Sequence, residues 1–162
     1  MRYDLVDVTS DDDWRNYHAI RRDVLWTARG RLVYDEGHAD EYASTNHPLL
    51  LKLDGVPIGT TRLDQRGRGI GVVRLVAIRA QSQRHGHGRQ LARMVERRAQ
   101  QLGLTMLYVN AVSDAVEFYR KSGWQIFSWD PAELTGTFAV CIQMQKHLPG
   151  ETRTDIENVD LP

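Results

Sequence analysis

Residues 78–88 read Ile78-Arg79-Ala80-Gln81-Ser82-Gln83-Arg84-His85-Gly86-His87-Gly88, the end of an apolar run passing through a glycine-containing turn into a new pattern. Upstream, Ile70 to Ile78 is a strand-like apolar segment. Downstream, Leu91, Met94, Val95, Ala99 and Leu102 recur at helical spacing, with Arg and Gln on the opposite side. A strand that turns directly into a helix through glycine presents backbone N–H groups and the positive end of a helix dipole, an arrangement suited to an anion. Two glycines at a tight turn are also what backbone sterics alone require. The dinucleotide fingerprint fits less well, because Arg89, Gln90 and Leu91 stand where its third glycine belongs, and the Gly-Lys-Ser/Thr ending of a Walker loop is absent. Gly103 closes the helical pattern, and Leu104 to Val109 reads as another strand. Strand, helix and strand then form a crossover unit with parallel strands.

The rest of the chain sets bounds on any anion site. At 162 residues the sequence suits one domain with a core of ordinary size, expected over 1–149, with 150–162 as an aperiodic tail. Lys plus Arg and Asp plus Glu both number 21, so no net field draws the chain to nucleic acid or to an anionic membrane. The single cysteine, Cys141, lies in an apolar run and cannot form an internal disulfide, which fits a reducing cytoplasm. No apolar stretch approaches the roughly 18 residues that span a bilayer, and the N-terminus lacks a signal-peptide pattern.

Working outward, Tyr3 to Val8 alternates as a short strand. Ser10 followed by Asp11, Asp12 and Asp13 marks a helix start, and Trp14, Tyr17, Ile20 and Val24 share one helical face as far as about Trp26. Residues 28–47 are polar and irregular, with a short helix expected near Ala39 to Ala43. Three antiparallel strands follow, joined at Asp54-Gly55 and at Gly67 to Gly69. Residues 113–122 read as a helix, and Trp124 to Trp129 with Thr137 to Gln145 as a final strand pair.

Gln83-x-x-Gly86-x-Gly88 resembles the Q/R-x-x-G-x-G/A signature of the GNAT superfamily of acetyl-CoA-dependent N-acetyltransferases. Asn110-Ala111-x-x-x-Ala115-Val116-Glu117-Phe118-Tyr119-x-x-x-Gly123-Trp124 is similar to a second stretch common in that family, with Trp124 where Phe is commoner. The element order matches over about residues 2–147. The resemblance implies an α/β (α+β) fold, an antiparallel meander followed by a parallel strand-helix-strand unit whose V-shaped splay binds acyl-CoA. It implies that Ala77 and Ile78 pair with the pantetheine arm, that Asn110 on the facing strand and Tyr119 also bind the cofactor, and that Gln83, Arg84, His85, Gly86, His87, Gly88 and Arg89 cradle the pyrophosphate. It further implies that Tyr119 protonates the leaving thiolate; packing of a helix on the sheet is the alternative role for this aromatic pair.

Other positions remain open. Residues 70–78 carry no carboxylate to serve as general base, leaving Asp35, Glu36, Asp40, Glu41, His47, Asp64 or a water chain. Arg74, a cation in an apolar strand, either pairs with a carboxylate such as Asp64 or Glu36 or reads a substrate carboxylate; internal pairing is favoured, because a buried cation needs a resting partner. Asp35, Glu36, Asp40 and Glu41 are expected to attract a cationic acceptor. His85 and His87 lack the spacing and a nearby carboxylate for a metal site, so no metal is expected. The expected reaction is acetyl transfer from acetyl-CoA to a small amine or a peptide amine, with a homodimer as one assembly; the rival is a non-catalytic acyl-CoA sensor.

Overall fold

The computed structural model describes residues 1–31 and 33–150; of the expected tail, everything beyond Gly150 lies outside the described residues. Strand β1 (Tyr3–Asp7) leads to helix α1 (Asp11–Arg21), whose start is fixed by Ser10 accepting the N–H of Asp13 at 3.1 Å. The helix continues through a π-turn, Arg22–Trp26, and a 3₁₀ turn, Thr27–Arg29, before Gly30 ends it in the left-handed region. A 3₁₀ turn at Ala39–Glu41 replaces the short helix expected there. Strands β2 (Asn46–Leu53), β3 (Val56–Gly67) and β4 (Ile70–Ile78) form the antiparallel meander. Asp54 and Gly55 both take positive φ, the geometry that a two-residue hairpin turn demands. Helix α2 (His87–Gln101) crosses to β5 (Met106–Ala111), which lies parallel to β4. A 3₁₀ turn, Ser113–Ala115, opens helix α3 (Val116–Lys121).

The final hairpin differs from expectation. Strand β6 is only Gln125–Ile126 and β7 is Ile142–His147, with 3₁₀ turns at Pro131–Glu133 and Gly136–Phe138 between them. Local turn chemistry overrides the apolar pattern here. Asp130 caps the N–H of Ala132, Pro131 presets the first turn, and Gly136 takes a φ of +56°. Among the described residues, seven strands lie in the order β1-β2-β3-β4-β5-β7-β6.

Strand alternation sends two sets of side chains to opposite faces. Leu49, Leu51, Leu63, Val73, Leu107 and Met144 pack with Leu91 and Val95 of α2 and Val116 and Tyr119 of α3. On the other face Leu50 and Ala77 meet Tyr17 and Ile20 of α1. Burying a side chain of this size stabilises by about 1.5–3 kcal/mol, so each layer fixes its helices firmly.

One irregularity in β4 positions the site. Thr60 lies opposite Ala77, yet Arg62 lies opposite Arg74, so β4 holds one residue more than β3 over the same span. The extra residue is Leu75, at a φ of +55°, a conformation that costs a side-chain-bearing residue roughly 1–2 kcal/mol. The bulge keeps Arg74 and Ala77 on the α1 face and sends Val76 to the α2 face.

Candidate functional site

The ladder between β4 and β5 runs from Ile70 opposite Met106 to Val73 opposite Val109 and stops. Past that point β4 stays paired to β3 as far as Ile78 opposite Gly59, and β5 stays paired to β7 as far as Ala111 opposite Ile142. Among the described residues, the facing edges of Arg74–Ile78 and Asn110–Ala111 therefore have no strand partner. Ala77 and Ile78 are on this open edge, as is Asn110. An open edge offers main-chain groups to an extended ligand in the manner of an added strand.

At the end of β4 the chain turns through Ala80–Ser82 and enters α2 with Gly86 as N-cap at a φ of +82°. Arg84 also has positive φ, +64°. Among the described residues, the backbone N–H groups from Arg84 to Arg89 donate to no protein acceptor. Six consecutive donors at a helix start, with the dipole behind them, make an anion cradle. A Cβ built on Gly88 meets nothing within 4 Å, so the approach is open. Arg84 and Arg89 are exposed and make no ion pair among the described residues; cations at this end of a helix are unfavourable until an anion arrives.

The other residues of this stretch shape the turn. Gln83 Nε2 donates to the Ile78 carbonyl at 2.9 Å, folding the turn back on its strand, and the His85 ring meets the Gln83 carbonyl at 2.7 Å. His87 Nδ1 lies 2.7 Å from the Tyr3 hydroxyl, joining α2 to β1. Among the described residues no group of three or more His, Cys, Asp or Glu could hold a metal ion, and no helix is long and apolar enough to cross a membrane.

The two sequence signatures meet in one narrow apolar cavity on the α2 face. Gly88, Val73, Val76, Leu91, Phe118 and Tyr119 line it. Tyr119 is buried, and burial pushes its phenol up to about 12. Its hydroxyl has no hydrogen-bond partner among the described residues. The phenol is therefore protonated at any working pH, with its proton uncommitted.

The α1 face of the same splay is polar, and its charges are paired. Arg74 donates to Asp64 at 3.1 Å and to both oxygens of Glu133 at 3.0 and 2.7 Å. Asp64 is thus the expected partner, whereas Glu36 instead pairs with Arg22. Glu133 lies in the loop after β6, without periodicity or motif to mark it. Arg62 holds Asp64 through two hydrogen bonds, at 2.7 and 3.0 Å, and reaches Glu41 at 2.9 Å; Glu41 also takes Arg21 and the Tyr17 hydroxyl. Burial alone would raise the Glu41 and Glu133 carboxyls, but their arginines and other donors outweigh it and hold both below the ordinary range. The acidic segment expected to attract a cation is largely neutralised. Glu41 is buried between two guanidiniums, Glu36 is on Arg22, and Asp40 lies 3.7 Å from His38 and 3.9 Å from Arg62. His47 bonds to Gln65 at 2.8 Å and Asp35 caps Gly37 at 2.9 Å, so each residue considered as a base has a structural partner.

A family model described as the acetyltransferase (GNAT) family matches residues 10–124. Against curated protein sequences the chain has no significant match. Among solved structures, one described as a candidate N-acetyltransferase from Lactobacillus plantarum superposes with a TM-score of 0.77 at 23% identity, over 92% of this chain and 100% of that one. An acyl-CoA N-acyltransferase from Pseudomonas aeruginosa gives 0.73 at 19% identity, covering 90% and 98%. The PaiA N-acetyltransferase from Thermoplasma acidophilum, solved with coenzyme A, gives 0.68 at 16% identity, covering 91% and 99%. These likenesses establish the fold, and the family match over residues 10–124 shows that the chain belongs to the GNAT acetyltransferase family.

Proposed function

We propose that this chain transfers the acetyl group of acetyl-CoA directly to the nitrogen of an amine, a small amine or a peptide amine, with Tyr119 as the acid. The observation that carries the reading is the shared cavity: Gly88 of the anion cradle and Tyr119 line one apolar space beside Val73, the last paired residue of β4 before the splay. The free N–H groups of Arg84 to Arg89, with the Arg84 and Arg89 side chains, would hold the pyrophosphate, and the open edge at Ala77 and Ile78 would take the pantetheine amides. Acetyl-CoA supplies the activated thioester. The amine nitrogen bonds to the carbonyl carbon, the C–S bond breaks, and the departing sulfur takes the Tyr119 proton. The proton lost by nitrogen passes to solvent, because the carboxylates on the α1 face are already paired, and solvent returns a proton to the Tyr119 phenolate, so the acid is regenerated. Without a free base, the acceptor must arrive as the unprotonated amine, and kcat/KM rises with pH toward the amine's own pKa. With one cysteine, and hence no internal disulfide, the chain suits a reducing, cytoplasmic setting.

Calorimetric titration with CoA, together with thiol release from acetyl-CoA across a panel of amines, tests this reading. Saturable CoA binding and amine-dependent thiol release support it. Binding without release for any amine would reject transfer and leave an acyl-CoA sensor.

A further inference from the structure

Where the β4–β5 ladder ends, a side chain takes over the connection. Arg74 and Asn110 directly follow Val73 and Val109, the last paired residues, and both project to the α1 face, Arg74 opposite Arg62 and Asn110 opposite Gln143. Glu133 accepts from both: Arg74 through Nη1 at 3.0 Å and Nη2 at 2.7 Å, and Asn110 through Nδ2 at 3.0 Å. One carboxylate thus spans the splay at its apex.

The clamp is itself held. Gln143 Nε2 donates to the Asp130 carbonyl at 2.7 Å and to Asn110 Oδ1 at 3.0 Å, while its Oε1 accepts the Asp130 N–H at 2.9 Å. Trp129 stacks on Tyr108 at 5.1 Å and 6°, and its indole N–H reaches the Val109 carbonyl at 3.1 Å. Asp64 braces Arg74 from the β3 side. We propose that Glu133 is a positioning residue, which fixes the separation of the two arms and so sets the thioester carbonyl against Tyr119. The proposal rests on the acetyl-transfer reading above. With Arg66 at 3.5 Å as a further contact, the carboxylate oxygens are filled by donors, which disfavours Glu133 as a proton acceptor. The clamp lies on the α1 face and the cavity on the α2 face, so it constrains the arms without obstructing the donor. A shift on the order of 1 Å at a reacting centre can cost about 10²-fold in rate.

The test compares Glu133→Ala, Glu133→Gln, Asn110→Ala and the double alanine variant with wild type. Arg98→Ala, which breaks an ion pair to Asp7 remote from the splay, is the control. Hydrogen exchange of the Arg74–Ile78 and Asn110–Ala111 amides is followed beside kinetics and CoA calorimetry, at a temperature where all variants are folded. In Glu133→Ala, kcat should fall at least about tenfold and the arm amides exchange faster, while the CoA Kd moves less than about threefold because the cradle is untouched. The double variant should be no slower than Glu133→Ala, since both residues serve one connection. Glu133→Gln should keep the wild-type shape of the kcat/KM pH profile. Unchanged kcat and exchange in Glu133→Ala would overturn the proposal, as would a Glu133→Gln profile of kcat/KM against pH that lacks a limb present in wild type, which marks a proton acceptor. A wild type that neither binds CoA nor releases thiol would instead reject the transfer reading, with arm exchange still reporting on the clamp.

Discussion

Replacing Tyr119 with Phe separates chemistry from packing more cleanly than any other change in this fold. The ring fills space between α3 and the sheet, touching Trp124 at 5.3 Å and Phe118 at 5.4 Å between centroids, and Phe keeps those contacts. The hydroxyl has no protein partner among the described residues, so its loss leaves no donor or acceptor stranded. The expected stability change is under about 1 kcal/mol, a shift in Tm of only a few degrees for a chain of this size. The rate should respond differently. Loss of one general acid typically costs about 10²-fold, or about 2.7 kcal/mol of barrier, and should appear in kcat with little change in the KM for acetyl-CoA. Because burial pushes the phenol up to about 12, the acid stays loaded, and wild-type kcat should not decline with alkali below roughly pH 10. Steady-state kinetics between pH 6 and 10, beside thermal unfolding followed by circular dichroism, reads all of these. A Phe variant that unfolds like wild type and turns over within about threefold of its rate would refute the assignment and leave Tyr119 a packing residue.

Gly88→Trp should abolish CoA binding in calorimetry while the far-ultraviolet spectrum is retained, since the added ring enters open space at the cradle instead of the core; undiminished affinity would remove the anion from this turn. Glu41→Gln should lower stability by about 3–5 kcal/mol near neutral pH, because Arg21 and Arg62 keep their charge while their shared carboxylate is lost. The sign with pH follows from the lowered Glu41 pKa. Its contribution is complete above the ordinary value of 4.5 and is lost as pH falls through the lower folded value, so the gap between wild type and variant should narrow in acid. A gap in denaturant midpoints that stays constant from pH 7 to 3 would contradict the pairing. Gly59→Val should be strongly destabilising, because even a Cβ there would lie 2.7 Å from Ile78 Cδ1 and 3.1 Å from the Ala77 carbonyl; a variant within about 1 kcal/mol of wild type in urea would show that β3 can move away.

The turn from β4 into α2 was legible in the sequence because it is built from neighbouring residues. The glycines at 86 and 88 and the helical spacing from Leu91 to Leu102 are local signals, and the structure joins them as the spacing implies. The Ser10 cap and the Asp54-Gly55 turn were likewise recoverable, since each depends on contacts within a few residues. The α1 face was not. Arg74 announced a need for a partner, but Glu133 lies 59 residues away in a loop without periodicity, and only the folded sheet brings them together. Glu41 reads as one more exposed acid in a polar stretch, yet it is buried among residues 20 and 21 positions distant. The last hairpin misled for the opposite reason: its apolar residues suggested strands, while Asp130, Pro131 and Gly136 turn the backbone away from the ladder.

The extra residue in β4 bears on which changes of length this chain can accept. Strand side chains alternate faces, and the bulge already takes up one extra residue, so a second one inserted between Val73 and Ala77 would exchange the two faces for everything on one side of it, whereas loss of Leu75 would restore one-for-one pairing with the faces kept. Val76 would leave the cavity beside Tyr119, or Arg74 would leave its carboxylates for an apolar layer. The hairpin at Gly67 to Gly69 joins the same strands at an exposed end and carries no such count. Among descendants of this sequence, length variation should therefore gather at that hairpin and in residues 28–45, while the stretch from Val73 to Ala77 gains no residue even where identities drift.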